Sequence, residues 1–262
     1  MPTLSRRSLT LAVCAAVVAA TLAVAAFAPL PVSIVQPGLT ANVLGSNAGT
    51  QVITISGTPV RATSGQLRMV TIQATSPDTT VHFIDVARAW FNTKEAAMPR
   101  DSVYPSGGSV KEIEKANLKE MTDSQEAATT AALSHLGLSP QKVKVDLRLA
   151  DVGGPSAGLL FTLGIIDKIQ GNGHGGDLTG GRNIAGTGTI DGKGNVGAVG
   201  GVPLKELAAR KDGATVFLVP RAECSDATAQ LPGGLRLIPV ETLDGALAAL
   251  SALDAGKKTP TC

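Results

Sequence analysis

Gly154-Pro155-Ser156-Ala157-Gly158 places a serine between glycines at the edge of a long apolar run, and Lys205 follows on a separate, helix-like stretch. A hydroxyl on such a turn is a site for a nucleophile, and a lysine can act as its base if desolvation brings the amine toward neutrality. Val202, Pro203, Leu204, Leu207 and Ala208 surround Lys205 in sequence, so on the inward side of a helix it would be partly stripped of water. On the outward side it would be an ordinary surface lysine pairing with Glu206 or Asp212.

The elements that must position these two side chains can be read from periodicity and punctuation. Val143 to Leu149 alternates as a half-buried strand does and runs into the Gly-Gly-Pro-Ser turn, while Leu159 to Ile169 is the apolar body of a helix. Pro155 suits a first helical turn, which would put Ser156 at a helix start, where free N–H groups favour negative charge. Upstream, 51–55 and 67–73 read as strands, and Val81 to Phe91 as a helix whose Trp90 serves the core. Ser109 to Gly137 is helical in composition, with Asp123 as a cap for a second helix inside it. Pro29, Pro31, Pro37 and Gly38 read as an extended linker, and Pro99 to Gly108 as a loop. Downstream, Gly171 to Gly181 reads as a mobile loop, and 183–191 with 196–199 as a hairpin around Asp191-Gly192-Lys193-Gly194. Pro203 opens the Lys205 helix, 215–219 and 235–239 are strands, and Leu243 to Leu250 is a helix. Strands alternating with helices give an α/β or α+β domain.

Composition narrows the partners. The 262 residues carry a formal charge of +2 with no long basic run, and aromatics make up only 3%. Neither the electrostatic footprint nor the stacking platform of a nucleic-acid binder is present. Ser5-Arg6-Arg7-Ser8 precedes an uncharged run from Leu9 to Val35, whose Leu9 to Leu30 part could cross a bilayer as a helix with the arginines in the cytoplasm. A cleaved signal after Ala26-Phe27-Ala28 and a twin-arginine export signal are the alternatives. Each puts the remainder outside the cytoplasm. Cys224 and Cys262 are then the two thiols of the exported part, free or joined in one disulfide, with Cys14 inside the apolar segment. His82, His135 and His174 are far apart and no CxxC or CxxH occurs, which argues against a zinc site.

G-x-S-x-G formally matches the nucleophile elbow of α/β-hydrolases, but the only histidine after Ser156 is His174, in a glycine loop, so a Ser-His-Asp triad fails on order and supply. A different resemblance covers more of the chain. Asp151-Val152-Gly153-Gly154-Pro155-Ser156-Ala157-Gly158, then Ala185-Gly186-Thr187-Gly188-Thr189-Ile190 with Gly192 and Val196-Gly197, then Val199-Gly200-Gly201 and Lys205, resemble the proteolytic domain of Lon proteases in order and approximate spacing. Met121-Thr122-Asp123-Ser124-Gln125-Glu126-Ala127-Ala128 resembles the helix before the nucleophile strand of that domain. The resemblance runs from about Leu67 to the C-terminus. It implies an α+β fold of the ribosomal protein S5 domain 2-like type, Ser156 as nucleophile, Lys205 as base and Thr187 hydrogen-bonded to the lysine. An oxyanion hole would come from the amide of Ser156 with that of Gly153 or Gly154. Gly153 and Thr189 depart from the family, which has an acidic residue and a glutamate there; substrate preference and activation are what these departures touch.

Within that family the chain is similar to small membrane-anchored Lon-like proteases that carry a PDZ domain and no ATPase module. Here Ser139-Pro140 leads almost at once into the Val143 strand, leaving no room for the PDZ domain, and no G-x-x-x-x-G-K-[ST] occurs. The expected organisation is a stub and anchor over 1–35, a linker and strand region over 36–66, a protease domain over 67–252 and a tail over 253–262. The expected activity is ATP-independent serine endopeptidase action on unfolded or flexible extracytoplasmic polypeptides, from a single-pass cell-membrane protein without cofactor or metal. Lon domains often form rings, which makes a homo-oligomer an expectation too. A catalytically inactive Lon-fold scaffold and an esterase using the same serine are the competing readings. Gly192-Lys193-Gly194-Asn195-Val196-Gly197 fits a dinucleotide fingerprint, Ser139-Pro140-Gln141-Lys142 fits S-x-x-K, and His174 with Asp177 suggests a metal loop; turn, turn and solvated loop are the better readings.

Overall fold

A computed structural model describes residues 5–105, 107–149 and 152–262, so Asp151 of the motif above lies outside the described residues. Its elements in chain order are α1 (Arg6–Phe27), β1 (Val32–Asn42), β2 (Ser46–Asn47), β3 (Thr50–Gln51), β4 (Ile53–Ser56) and β5 (Gln66–Ala74). There follow α2 (Phe83–Phe91), β6 (Ala96–Pro99), α3 (Arg100–Val103), α4 (Val110–His135), β7 (Lys144–Leu147) and α5 (Gly158–Ile169). The chain ends with β8 (Asn183–Gly186), β9 (Thr189–Ile190), β10 (Val196–Gly197), α6 (Val202–Lys211), β11 (Val216–Pro220), α7 (Cys224–Ala229), β12 (Arg236–Val240) and α8 (Leu243–Asp254). The chain forms two compact units, one of residues 1–36 with 74–110 and the other of residues 37–73 with 111–262.

In the first unit, Ser5 caps α1 by accepting the Ser8 N–H at 3.2 Å, and 22 residues follow of which none is buried. This helix is long and apolar enough to cross a membrane. The first residues of β1 pair antiparallel with β6, Val32 opposite Pro99 and Val35 opposite Ala96. β1 thus occupies part of the stretch whose prolines read as a linker; its Pro37 falls past Val32–Val35, the residues paired with β6, where a missing N–H is tolerated. The short helix α3 interrupts the expected Pro99–Gly108 loop. α2 forms where its spacing predicts it, but Trp90 is 84% exposed and not in the core. Period 3.6 reveals that an apolar face exists; it says nothing about what covers it.

The second unit is built on the parallel strands β5, β8, β11 and β12, in the order β12-β11-β8-β5. Alternation sorts their side chains. Leu67, Met69, Ile184, Val216, Leu218 and Ile238 face a core shared with α5 and with Leu243, Ala246 and Leu250 of α8. Val70, Ala185, Phe217, Val219 and Leu237 face the opposite way, toward Val202 and Ala209 of α6 and Ala227 of α7. α5 is buried nearly all round, in keeping with its unbroken apolar sequence. α4 is a single helix, and Asp123 pairs with Lys119 in its interior instead of capping a second one. Residues 183–186, expected in a hairpin, belong to the main sheet; the hairpin is β9 with β10, around Asp191, whose carboxylate accepts the amides of Lys193 and Asn195. Within the glycine-rich 171–181 loop, Asn172 Oδ1 accepts the His174 and Gly176 amides, and Asp177 pairs with Arg61 at 3.1 Å. Cys224 and Cys262 are joined in a disulfide, with Cα atoms 5.2 Å apart.

Candidate active site

Three elements of the second unit bring the expected residues together at the carboxyl end of β8. Ser156 lies in a turn before α5, which begins at Gly158 with Ala157 as its cap. The serine thus precedes the helix instead of occupying its first turn, as Pro155 suggested. Gly154 supplies the turn at φ +86°, where a side chain would be strained. The turn is then fastened from two sides. Ser124 Oγ, on the buried face of α4, donates to the Pro155 carbonyl at 3.0 Å. Gly188 donates its amide to the Ser156 carbonyl at 3.0 Å and accepts from Leu159 N–H at 3.1 Å.

Thr187 follows the last residue of β8 and is fully buried, with its amide donating to Leu218 O of β11. Gly201 caps α6 in a left-handed conformation, φ +70°, and a Cβ there would lie 2.9 Å from Ile72 Cγ2. The first turn of α6 is therefore held close to β5, and Lys205 enters the protein at 3% exposure. It pairs with neither Glu206 nor Asp212; the latter faces Arg68 at 3.7 Å. Lys205 Nζ donates to Thr187 Oγ1 at 3.1 Å, and Thr187 Oγ1 donates to the Ser156 carbonyl at 3.3 Å. Among the described residues, Thr187 links the Lys205 amine to the backbone carbonyl of Ser156, and no hydrogen bond joins the amine to the Ser156 hydroxyl.

Burial pulls the Lys205 amine down from 10.5 to about 8, with a small opposing pull from Glu223. Loss of hydration disfavours the ammonium, which is the condition for a lysine to accept a proton near neutrality. Of the two glycines expected to support an oxyanion, Gly154 has its amide donated to Asn117 O at 3.0 Å. Gly153 is also set by Asn117, since a Cβ at that glycine would lie 2.8 Å from the Cβ of Asn117. No space remains there for the acidic side chain that the family resemblance leads one to expect. Thr189, the other departure, sits in β9 opposite Gly197.

Asn117 and Ser124 are the site-shaping residues that sequence reasoning missed. Each acts on the backbone of the Ser156 turn from a helix distant in sequence, and a backbone contact leaves no motif. Ser124 does carry one trace, a hydroxyl on the inward stripe of an otherwise alanine-rich helix face.

The model of the Lon protease (S16) C-terminal proteolytic domain matches residues 112–252, a stretch that starts in α4, ends in α8 and contains Ser156, Thr187 and Lys205. More than half of the chain lies inside that match, and with it the mixed sheet-and-helix fold described above. The chain belongs to the Lon protease family and is a serine peptidase.

Proposed function

We propose that the protein is a Ser-Lys dyad endopeptidase that works without ATP, tethered by α1 to the cell membrane with its proteolytic domain outside the cytoplasm. The observation that carries the dyad is the buried Lys205 amine, held 3.1 Å from Thr187 Oγ1 with its affinity for protons lowered to about 8. A neutral amine that spends one N–H on Thr187 keeps its lone pair for the Ser156 hydroxyl. As Ser156 Oγ bonds to the peptide carbonyl carbon, its proton passes to Lys205 Nζ; the resulting ammonium then protonates the amine that leaves as the C–N bond breaks. Water deprotonated by the same lysine hydrolyses the acyl-enzyme. With Gly154 N–H donated to Asn117, the amides of Ser156 and Gly153 are the donors we assign to the developing oxyanion.

Three features support the remaining parts of the reading. The sequence contains no nucleotide-binding G-x-x-x-x-G-K-[ST], α1 is uncharged from Ser8 to Phe27 with no residue buried, and the Cys224–Cys262 disulfide suits an oxidising compartment. Flexible or unfolded polypeptides are the substrates this implies, since nothing in the chain would unfold a folded one.

The test is hydrolysis of an unstructured polypeptide by the full-length protein and its variants across pH. Ser156→Ala is expected to abolish turnover, and Lys205→Ala to lower kcat by about 10²–10⁴. In the unaltered protein kcat/KM should rise through about pH 8 as Lys205 loses its proton. Retained hydrolysis in Ser156→Ala would refute the dyad. Comparing protein N-termini in cells carrying the native and Ser156→Ala forms would then identify substrates.

A further inference from the structure

α2 is an amphipathic helix turned inside out. Phe83, Ala87, Trp90, Phe91 and Ile84 fall within one side at 100° per residue, an arc as wide as the core-facing stripe of an ordinary surface helix. Yet Phe83 is 58% exposed, Ile84 53%, Trp90 84% and Phe91 87%, while the narrow side at Ala89 is buried. Asp85 accepts the His82 amide at 3.0 Å at the start of the helix, and Arg88 pairs with Asp85 at 3.8 Å along the polar border. Exposed Lys94 follows three residues after Phe91.

The position of this face is fixed by α1. Leu30 N–H donates to Val81 O at 2.9 Å, so the chain leaving α1 at Phe27 is bonded, three residues on, to the residue two before the start of α2. Arg100 strengthens the junction by donating its amide to Pro31 O at 3.0 Å and its guanidinium to Thr79 O at 2.9 Å. The two helices pack against each other within the same compact unit. Three residues reach about 10 Å at most, so α2 lies at the depth where α1 ends. If α1 spans the bilayer, as proposed above, that depth is the boundary of headgroups and acyl chains. Trp and Phe are the side chains that favour this boundary, on helices lying in its plane.

We infer that α2 is an interfacial helix whose Phe83, Ile84, Trp90 and Phe91 insert into the outer lipid leaflet beside the exit of α1, making a second membrane attachment. This inference rests on the membrane-spanning reading of α1. The occupant is the bilayer and not a second protein, because α1, which buries none of its residues, packs on α2 and ends three residues before the bond that ties the two together.

Trp90 is the only tryptophan in the sequence, so its fluorescence reports on α2 alone. The full-length protein would be reconstituted into phosphatidylcholine vesicles, with flotation recording whether it is inserted. Two brominated phosphatidylcholines would then be compared, one with bromine just below the headgroup and one with bromine near the chain ends. The expected result is flotation, protection of Trp90 from iodide, and stronger quenching by the shallow bromine than by the deep one. Phe83→Ser with Phe91→Ser should still float through α1 while losing roughly half or more of the shallow quenching, with hydrolysis of a soluble peptide unchanged. Flotation without bromine quenching would overturn the interfacial helix and leave the anchor standing. Protection from iodide without bromine quenching would assign the face to a second copy of the chain or another protein and equally overturn it. Failure to float would overturn the anchor reading and this inference with it.

Discussion

Lys205 and Glu206 are neighbours in α6, and burial acts on them with opposite sign. Lys205 reaches Thr187, whereas Glu206 is 0% exposed and, among the described residues, neither carboxyl oxygen has a hydrogen-bond partner. On the helix it shares the stripe of Val202 and Ala209, which belong to the apolar layer under the sheet. Burial raises its carboxyl from 4.5 to about 8. Below the lower value both folded and unfolded chains hold the proton. Between the two values the folded protein keeps a proton that the unfolded chain releases, so stability falls as pH rises through that window and the cost is complete above about pH 8. Lys205 works in the other direction over a higher window, from about 8 to 10.5, where the folded protein releases a proton that the unfolded chain retains and stability rises with pH. Glu206→Gln should therefore remove the fall in stability between about pH 5 and about pH 8, worth about 4 kcal/mol, in urea unfolding of the detergent-solubilised protein. A slope across this window that is unchanged by the substitution would show that Glu206 is hydrated or paired in solution. The residue scale is also where the sequence was most legible: Ser156 stood out from its glycine frame, and Lys205 from the ordered Thr187 and Gly200-Gly201 signals. Glu206 did not, because a glutamate beside a lysine on a helix reads as a surface pair until both are known to be buried.

Elements were legible where alternation or periodicity had only one solution, and misread where the chain bends the rule. β11 and β12 follow from β-branched runs, and α5 from an apolar run too long for a strand. β1 was hidden by Pro37 and Gly38; the glycine is needed because a Cβ there would meet Thr71 Oγ1 at 2.4 Å. β8 reads as one with β9 because sequence alone does not say that the chain leaves the main sheet at Thr187, the point at which the candidate site is built. The N-terminus of α6 has the greatest leverage on the site, since it sets the depth of Lys205. Gly201→Ala should cost about 1–2 kcal/mol from the left-handed backbone, and more from contact with Ile72. By shifting α6 it should lower kcat more than it changes KM. Gly213→Ala provides the comparison, because Gly213 is also left-handed at φ +83° but a Cβ there comes no closer than 3.5 Å to Asn183 Nδ2. That variant should lose stability alone. Equal losses of kcat in the two variants would mean that α6 is not positioned through Gly201.

At the scale of the whole molecule the chain passes from one unit to the other and back before completing the proteolytic domain, and its last residue is tied to that domain covalently. Cys262 closes a loop to Cys224 at the start of α7, with a sequence separation of 38. α7 packs on α6 through the apolar layer that includes Ala227, Val202 and Ala209, so the bridge braces the element that carries Lys205 from behind. Removing freedom from the unfolded chain over a loop of this length is worth about 4 kcal/mol, and Cys262→Ser should lower the unfolding midpoint accordingly while leaving turnover by the folded protein unchanged. The same bond reports on which side of the membrane the domain resides. Cys14 is free and exposed within α1, so an extracytoplasmic domain predicts one thiol before reduction and three after it. Denaturing host cells directly into acid and counting thiols by a mass-tagged maleimide, with and without prior reduction, measures this. Three thiols without reductant would place Cys224 and Cys262 in a reducing compartment, and α1 would then have to hold the domain on the cytoplasmic side.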